Sequence, residues 1–243
     1  MIKAGYVTKT IKQNDKILII CDFDGTLSTS DVGYDVIVQF AGSGWEEIDR
    51  DYCEGTIGSK DAYTKIASLF NASREEMVTY AIEHGHVDPT FQAFYRFCLH
   101  NNIDVKIVSD GLDFYIRVIL EKYNLKEIQF FSNVVRFHKN GNVTIEFPGS
   151  NDTCNECGNC KSNILEQYRL TYDSIIYIGN GYSDVCPAQK ADMVFAKDIL
   201  YEKCLKNGRD CIHYENFDDI REYLERSFPF FCPGRFLINF IYR

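Results

Sequence analysis

Two aspartates one residue apart, Asp22 and Asp24, stand just past the apolar run Ile17 to Ile20 in the stretch KILIICDFDGTLSTSD. Carboxylates this close repel each other, so a buried strand that ends on both of them calls for a compensating charge. A hard divalent cation such as Mg²⁺ supplies one, because it takes oxygen ligands and usually keeps several of its waters. The ends of the later apolar runs extend this chemistry. Ser109 and Asp110 close the run VKIVS, Asn180, Tyr182, Ser183 and Asp184 follow SIIYIG, and Thr26 accompanies the first pair. Lys161, at the start of a predicted helix, adds a compact positive charge, and the free N–H groups of helix starts favour the same kind of ligand. Metal, lysine and hydroxyl together point to a phosphate group.

Each feature alone has a plainer explanation. An Asp-x-Asp pair is common in turns and helix caps, Ser109 alone reads as a helix cap, and Lys161 alone reads as a solvated lysine. The buried run before Asp22, the Gly25-Thr26 after Asp24 and the later groups in order make catalysis the better reading. Asp31, Asp35 and Asp113 read as caps or surface charges. The five histidines form no cluster with ligand spacing.

These residues need elements that bring them together. Apolar, β-branched runs at 17–20, 105–109, 174–179 and 193–196 read as buried parallel strands. Helical periodicity at 89–101, 112–123, 161–170, 198–206 and 217–226 alternates with them. Such alternation predicts an α/β fold with a doubly wound parallel sheet, whose ligands bind at the carboxyl ends of the strands. Helical patterns at 32–40, 60–70 and 74–84 run on with no strand between them. This predicts a helical cap over residues 31–87, inserted into a core of residues 1–30 and 88–243. Residues 134–147 alternate around Asn140-Gly141, a hairpin signal.

Composition excludes some functions. The chain of 243 residues is 45% hydrophobic, enough for a full core, and its formal net charge of −9 speaks against nucleic acid or an anionic membrane as partner. The opening residues MIKAGYVTKTIKQNDK lack an apolar signal core, and no run approaches the roughly 20 apolar residues of a membrane span. The expected setting is cytoplasmic and the expected partner a small molecule, for a monomer or a homodimer.

The motifs carry a family resemblance. DFDGT (22–26), Ser109, Lys161 and GNGYSD (179–184) resemble, in order and context, the four motifs of the haloacid-dehalogenase-like (HAD) phosphatases, over the whole chain. The helical insertion after the first motif is similar to the subclass that contains phosphoserine phosphatase. The runs CNECGNCKSNIL, IVSDGLDFYI and YIGNGYSDVCPAQKADMVFAKDIL resemble the branch that contains the 2-hydroxy-3-keto-5-methylthiopentenyl-1-phosphate phosphatases of methionine salvage. The phosphocholine and phosphoethanolamine phosphatases are similar as well. The resemblance implies a Mg²⁺-dependent phosphomonoesterase working through an aspartyl-phosphate. Asp22 would be the nucleophile and Asp24 the general acid and then base. Lys161 would offset charge, and Thr26, Ser109, Gly25 and Asp110 would lie against the substrate. Asp22, Asp24, Asn180 and Asp184 would hold the metal. A phosphoserine, phosphocholine or phosphoethanolamine phosphatase is the alternative.

One position departs from the family pattern. Its fourth motif usually begins Gly-Asp, and here reads Gly179-Asn180. Asn can still ligate Mg²⁺ through its carbonyl, but one negative charge is lost. A working variant, an impaired enzyme and a phosphate-binding relative compete to explain it, and the intact remaining motifs favour the first. Of ten cysteines, Cys154, Cys157 and Cys160 are clustered as C-x2-C-x2-C before Lys161. They are candidate Zn²⁺ ligands lacking a fourth, which Cys186, His138 or His213 would have to supply, or else thiols or a disulfide that stiffen the loop. Tyr34, Trp45 and Tyr52 are candidates for contact with the leaving group, with packing inside the cap as the alternative. The aromatic tail 227–243 is expected to dock on the domain.

Overall fold

The computed structural model describes residues 11–151, 154 and 156–231. The apolar run after Lys16 forms β1 (Ile17–Cys21), buried along its whole length at the centre of a seven-stranded sheet. A strand apolar on both faces is stable only with a layer on each side, which is why the runs without alternation became the interior strands. The sheet is completed by β2 (Asp104–Leu112), β3 (Phe130–Phe137), β4 (Val143–Glu146), β5 (Ser174–Gly179), β6 (Met193–Ala196) and β7 (Ile212–His213), in the order β4-β3-β2-β1-β5-β6-β7. Every pairing is parallel except β3 with β4. The chain winds outward from β1 in both directions, so β1, β2 and β5 meet at the topological switch point.

Four helices fill the interval after β1: α1 (Val32–Phe40), α2 (Trp45–Cys53), α3 (Ser59–Ala67) and α4 (Arg74–His84). The chain leaves the core and re-enters it through a paired neck. Ser28 bridges Val87, the Thr29 N–H donates to the His86 carbonyl (2.9 Å), and the Asp88 N–H donates to Leu27 (2.9 Å). Caps set the helix starts: Asp31 accepts from the Tyr34 N–H, and Ser73 and Glu76 form a reciprocal capping box on α4. Met77 and Ala81 of α4, with Val36 and Ile66, belong to the same buried cluster as the sheet residues Ile19 and Ile107.

The remaining helices are α5 (Phe91–His100), α6 (Asp113–Lys122), α7 (Lys161–Tyr168), α8 (Val185–Lys190), α9 (Asp198–Asn207) and α10 (Phe217–Ser227). Phe217 anchors α10 on α5, its ring 4.8 Å from Phe91 and 5.2 Å from Phe94.

The sequence pattern missed α2, α8 and β7, and placed the start of β3 four residues late, at 134 rather than 130. The start of β3 is parallel to β2 and lacks the alternation by which the hairpin half was recognised. Of the aromatic tail, Phe228 and Phe231 are buried and Phe231 meets Phe97 of α5 edge-on. Residues 232–243 of the tail, and the first ten residues, lie outside the described residues.

Candidate active site

The carboxyl ends of β1 and β5 and the start of α7 converge on one ion triplet. The Lys161 ammonium lies 2.7 Å from Asp22 Oδ1 and 2.6 Å from Asp184 Oδ1, and all three side chains are buried. Burial alone would neutralise the lysine, but its two carboxylate partners hold its pKa above the ordinary value. Burial and the nearby Asp184 push Asp22 upward, against the pull of Lys161. Asp184 also accepts from the Tyr177 hydroxyl at Oδ1 (2.6 Å) and from the N–H groups of Asn180 and Gly181 at Oδ2 (2.9 Å each). Four donors occupy the four lone-pair sites of this carboxylate, and against its burial the Lys161 charge, then the bonds from Lys161, Tyr177 and Gly181, hold Asp184 below the usual range. Asp184 thereby anchors Lys161 and the turn after β5.

Asp24 sits in the wide turn Phe23–Leu27, which the Ser28 N–H closes by donating to the Phe23 carbonyl. Its Oδ1 accepts from the Gly33 N–H (3.1 Å), and its Oδ2 accepts from the Tyr115 hydroxyl (2.6 Å), with Ser109 Oγ at 3.5 Å. Desolvation, with Asp31 adding to it, pushes the Asp24 carboxyl up to about 7, although the Tyr115 and Gly33 bonds favour its charged form. Gly25 adopts φ +68°, and a Cβ there would fall 2.5 Å from Asn180 Nδ2, so both the turn and the approach to β5 require glycine. Thr26 is buried and donates its hydroxyl to Asn180 Oδ1 (2.9 Å). That bond fixes Asn180 beside the turn.

Asp110 is turned into the protein. Its Oδ1 accepts from the Asn159 N–H (2.8 Å) and from Asn133 Nδ2 (3.1 Å). Desolvation raises its pKa, opposed first by a hydrogen bond from Ser59 and then by those from Asn159 and Asn133. Asp110 borders the cavity, and its carboxylate accepts from these protein donors.

Asp22, Asp24, Ser109 and Asn180 open onto a cavity of about 340 Å³ walled by Tyr34, Ile37, Asp49, Tyr52, Tyr63 and Ile66 from the inserted helices. Among the described residues, no lysine or arginine lines it. Tyr34 and Tyr52 meet the cavity as expected, whereas Trp45 backs Tyr34 edge-on at 5.7 Å.

Asp22 and Asp184 share Lys161, Asp24 and Asp110 lie nearby without a salt bridge among the described residues, and the donors at the cavity floor are oxygens. Surplus buried negative charge with hard donors fits a cation such as Mg²⁺. Zinc fits poorly. Among the described residues, no three His, Cys, Asp or Glu side chains gather as a metal cluster, and Cys154, Cys157, Cys160 and Cys186 are free thiols. Burial, with Asp110 adding to it, pushes the Cys157 thiol up to about 12. The same free thiols replace the disulfide alternative.

Pattern reading missed Tyr115, Tyr177, Asn133, Asn159 and Ser59. Tyr115 and Tyr177 occupy apolar positions of a helix and a strand, where an aromatic ring reads as core; only the hydroxyl at the end of each ring reaches a carboxylate.

A family model described as Putative Phosphatase matches residues 17–207. The chain is 30% identical over 212 residues to 2-hydroxy-3-keto-5-methylthiopentenyl-1-phosphate phosphatase of Bacillus cereus (strain AH820), covering 86% of this chain and 96% of that protein. It is 28% identical over 213 residues to the bifunctional enzyme MtnB/MtnX of Bacillus licheniformis, covering 87% of this chain and spanning half of that longer protein. Among solved structures, a phospho-aspartyl intermediate analogue of phosphoserine phosphatase superposes with a TM-score of 0.66 at 24% identity, over 86% of this chain and 99% of that one. A HAD family hydrolase of Salmonella enterica serovar Typhi superposes with a TM-score of 0.67 at 19% identity, over 92% and 74% of the two chains. Both share its fold.

Proposed function

The chain belongs to the Putative Phosphatase family and is a HAD-type phosphatase, and from that premise we propose that it hydrolyses a small phosphomonoester through an aspartyl-phosphate on Asp22. The observation that carries this reading is Asp22, paired with Lys161 at 2.7 Å, opening onto the same cavity as an Asp24 carboxyl that burial pushes up to about 7. A carboxylate held by a lysine suits attack on phosphorus, and a carboxyl near 7 suits proton transfer at neutral pH. Asp24 donates its proton to the leaving oxygen as Asp22 bonds to phosphorus. Now a carboxylate, it takes a proton from the water that cleaves the acyl phosphate. Tyr115 and Gly33 hold Asp24 throughout, and Ser109, beside it, is placed to donate to a phosphate oxygen.

Asp22, the main-chain carbonyl of Asp24 and Asn180 would hold Mg²⁺, which when bound keeps Asp22 ionised and neutralises phosphoryl charge. Asn180 serves as a ligand in place of the more usual aspartate, in a working enzyme. Residues 31–87 act as a cap over the core formed by 1–30 and 88–243, and supply the wall for the leaving group.

The substrate that best suits the site is 2-hydroxy-3-keto-5-methylthiopentenyl-1-phosphate, the compound named for the Bacillus cereus relative. An uncharged thioether chain fits the wall of Tyr34, Ile37, Tyr52 and Ile66. Among the described residues, no lysine or arginine lines the wall to receive the carboxylate of phosphoserine. Asp31 and Asp49 favour a second reading, a cationic leaving group as in phosphoethanolamine or phosphocholine. Phosphate release from these esters, with Mg²⁺ and with chelator, tests both. Turnover is expected for the enol phosphate, none in chelator, and Asn180→Asp is expected to lower the Mg²⁺ concentration needed. Faster turnover of phosphoserine would sink the substrate assignment, and turnover that survives chelator would sink the metal assignment.

A further inference from the structure

The loop that presents Lys161 is fastened to the inserted helices as well as to the sheet. The Gly158 N–H donates to Ser59 Oγ at the first residue of α3 (3.0 Å), and the Lys60 N–H donates to the Glu156 carbonyl (3.2 Å). The approach is so close that a Cβ on Gly58 would fall 2.1 Å from that carbonyl oxygen, leaving room only for glycine. From the other side, Asn159 donates its N–H to Asp110 Oδ1 (2.8 Å) and its Nδ2 to the Ser109 carbonyl (2.7 Å), while Asn133 Nδ2 donates to the Asp110 carbonyl (2.5 Å). Ser59 and Asp110 thus hold the lysine loop from its two sides, at Gly158 and at Asn159. Ser59, Asp110, Asn133 and Asn159 are all buried.

We infer that Asp110 and Ser59 are positioning residues: together they clamp the N-terminus of α3 to the loop before Lys161, so that the leaving-group wall and the catalytic lysine are set as one unit. Three observations support this. Asp110 has a carboxylate, which a phosphate repels, and protein donors hold it. Helix α3 carries Ala62, Tyr63 and Ile66 of the cavity wall, so a shift at Ser59 moves that wall. Asn159 is two residues from Lys161 and bonded to both Ser109 and Asp110, so a shift of Asp110 moves the lysine. The role given to Lys161 rests on the proposed phosphatase chemistry; the clamp itself does not.

Backbone amide exchange on the full chain separates the two. In Ser59→Ala, exchange at Gly158 and Asn159 is expected to quicken about fivefold, the scale of one lost hydrogen bond. Amides of β1 should stay unchanged, and Ser59→Thr, which keeps the hydroxyl, should restore protection. In phosphate-release assays, Ser59→Ala is expected to lower kcat by a similar factor for two substrates with different leaving groups. Combining it with Asp110→Asn should cost no more than Asp110→Asn alone, the signature of one coupled unit. Unchanged exchange at Gly158 and Asn159, additive losses, or a KM increase confined to one leaving group would overturn the clamp. Quickened exchange in a protein that releases no phosphate would uphold the clamp and overturn the phosphatase chemistry.

Discussion

The floor of the cavity and its wall are built by opposite rules. At the floor, Asp22, Lys161 and Asp184 are buried and every lone pair of Asp184 has a donor. At the wall, α2 contributes no buried residue, its N-cap Gly44 offers no side-chain bond, and Tyr34 of α1 is 44% exposed. A buried, fully bonded ion cluster tolerates no partial change, since removing one partner strands a charge that water cannot reach. A half-exposed aromatic wall can change residue by residue at small cost. The difference separates two tasks: phosphoryl chemistry belongs to the part that cannot vary, and choice of leaving group to the part that can.

Breaking the floor should have the largest effect. Asp22→Asn, which keeps the shape and removes the nucleophile, is expected to cut turnover by at least about 10³-fold in a phosphate-release assay. Loss of less than tenfold would remove Asp22 from the chemistry. A smaller effect sharpens the boundary between floor and wall, where Tyr115 holds Asp24. As a general acid, Asp24 must be protonated, so kcat/KM should decline as pH rises past about 7. The Tyr115 hydroxyl stabilises the charged form, and Tyr115→Phe removes that bond, so the proton is kept to higher pH. The alkaline limb should move up by about 0.7 pH unit, equivalent to a hydrogen bond of about 1 kcal/mol. A limb that moves down or stays fixed would separate Tyr115 from the acid. The smallest effect belongs to the wall: Tyr34→Ala is expected to raise KM by about two- to fivefold with kcat nearly unchanged, the mark of uniform binding. An equal loss in kcat would place Tyr34 in the chemistry and blur the comparison.

Much of the floor was legible before folding. Asp22, Asp24, Ser109 and Asn180 each stand at the end of an apolar run, and Lys161 at a helix start; a parallel sheet brings such positions to one edge by its topology alone. What pattern could not give was the protein partner of each polar atom. The four donors of Asp184 come from β5, the turn after it and α7, and only assembly brings them together. Thr26 likewise meets Asn180, and Asp110 meets the lysine loop.

The sequence by itself determined the alternation of buried strands with amphipathic helices, and hence the edge at which acidic, hydroxylic and basic groups collect. Periodicity is a local property, set by side-chain spacing along a few turns or pleats. Only the tertiary structure decided which carboxylate remains available, which hydroxyl holds the acid and which helix is clamped to the lysine loop. Tyr115 meets Asp24 across 91 residues and Gly158 meets Ser59 across 99. Such pairings are selected by the cost of burying an unbonded polar atom, and that cost arises only when distant segments exclude water together.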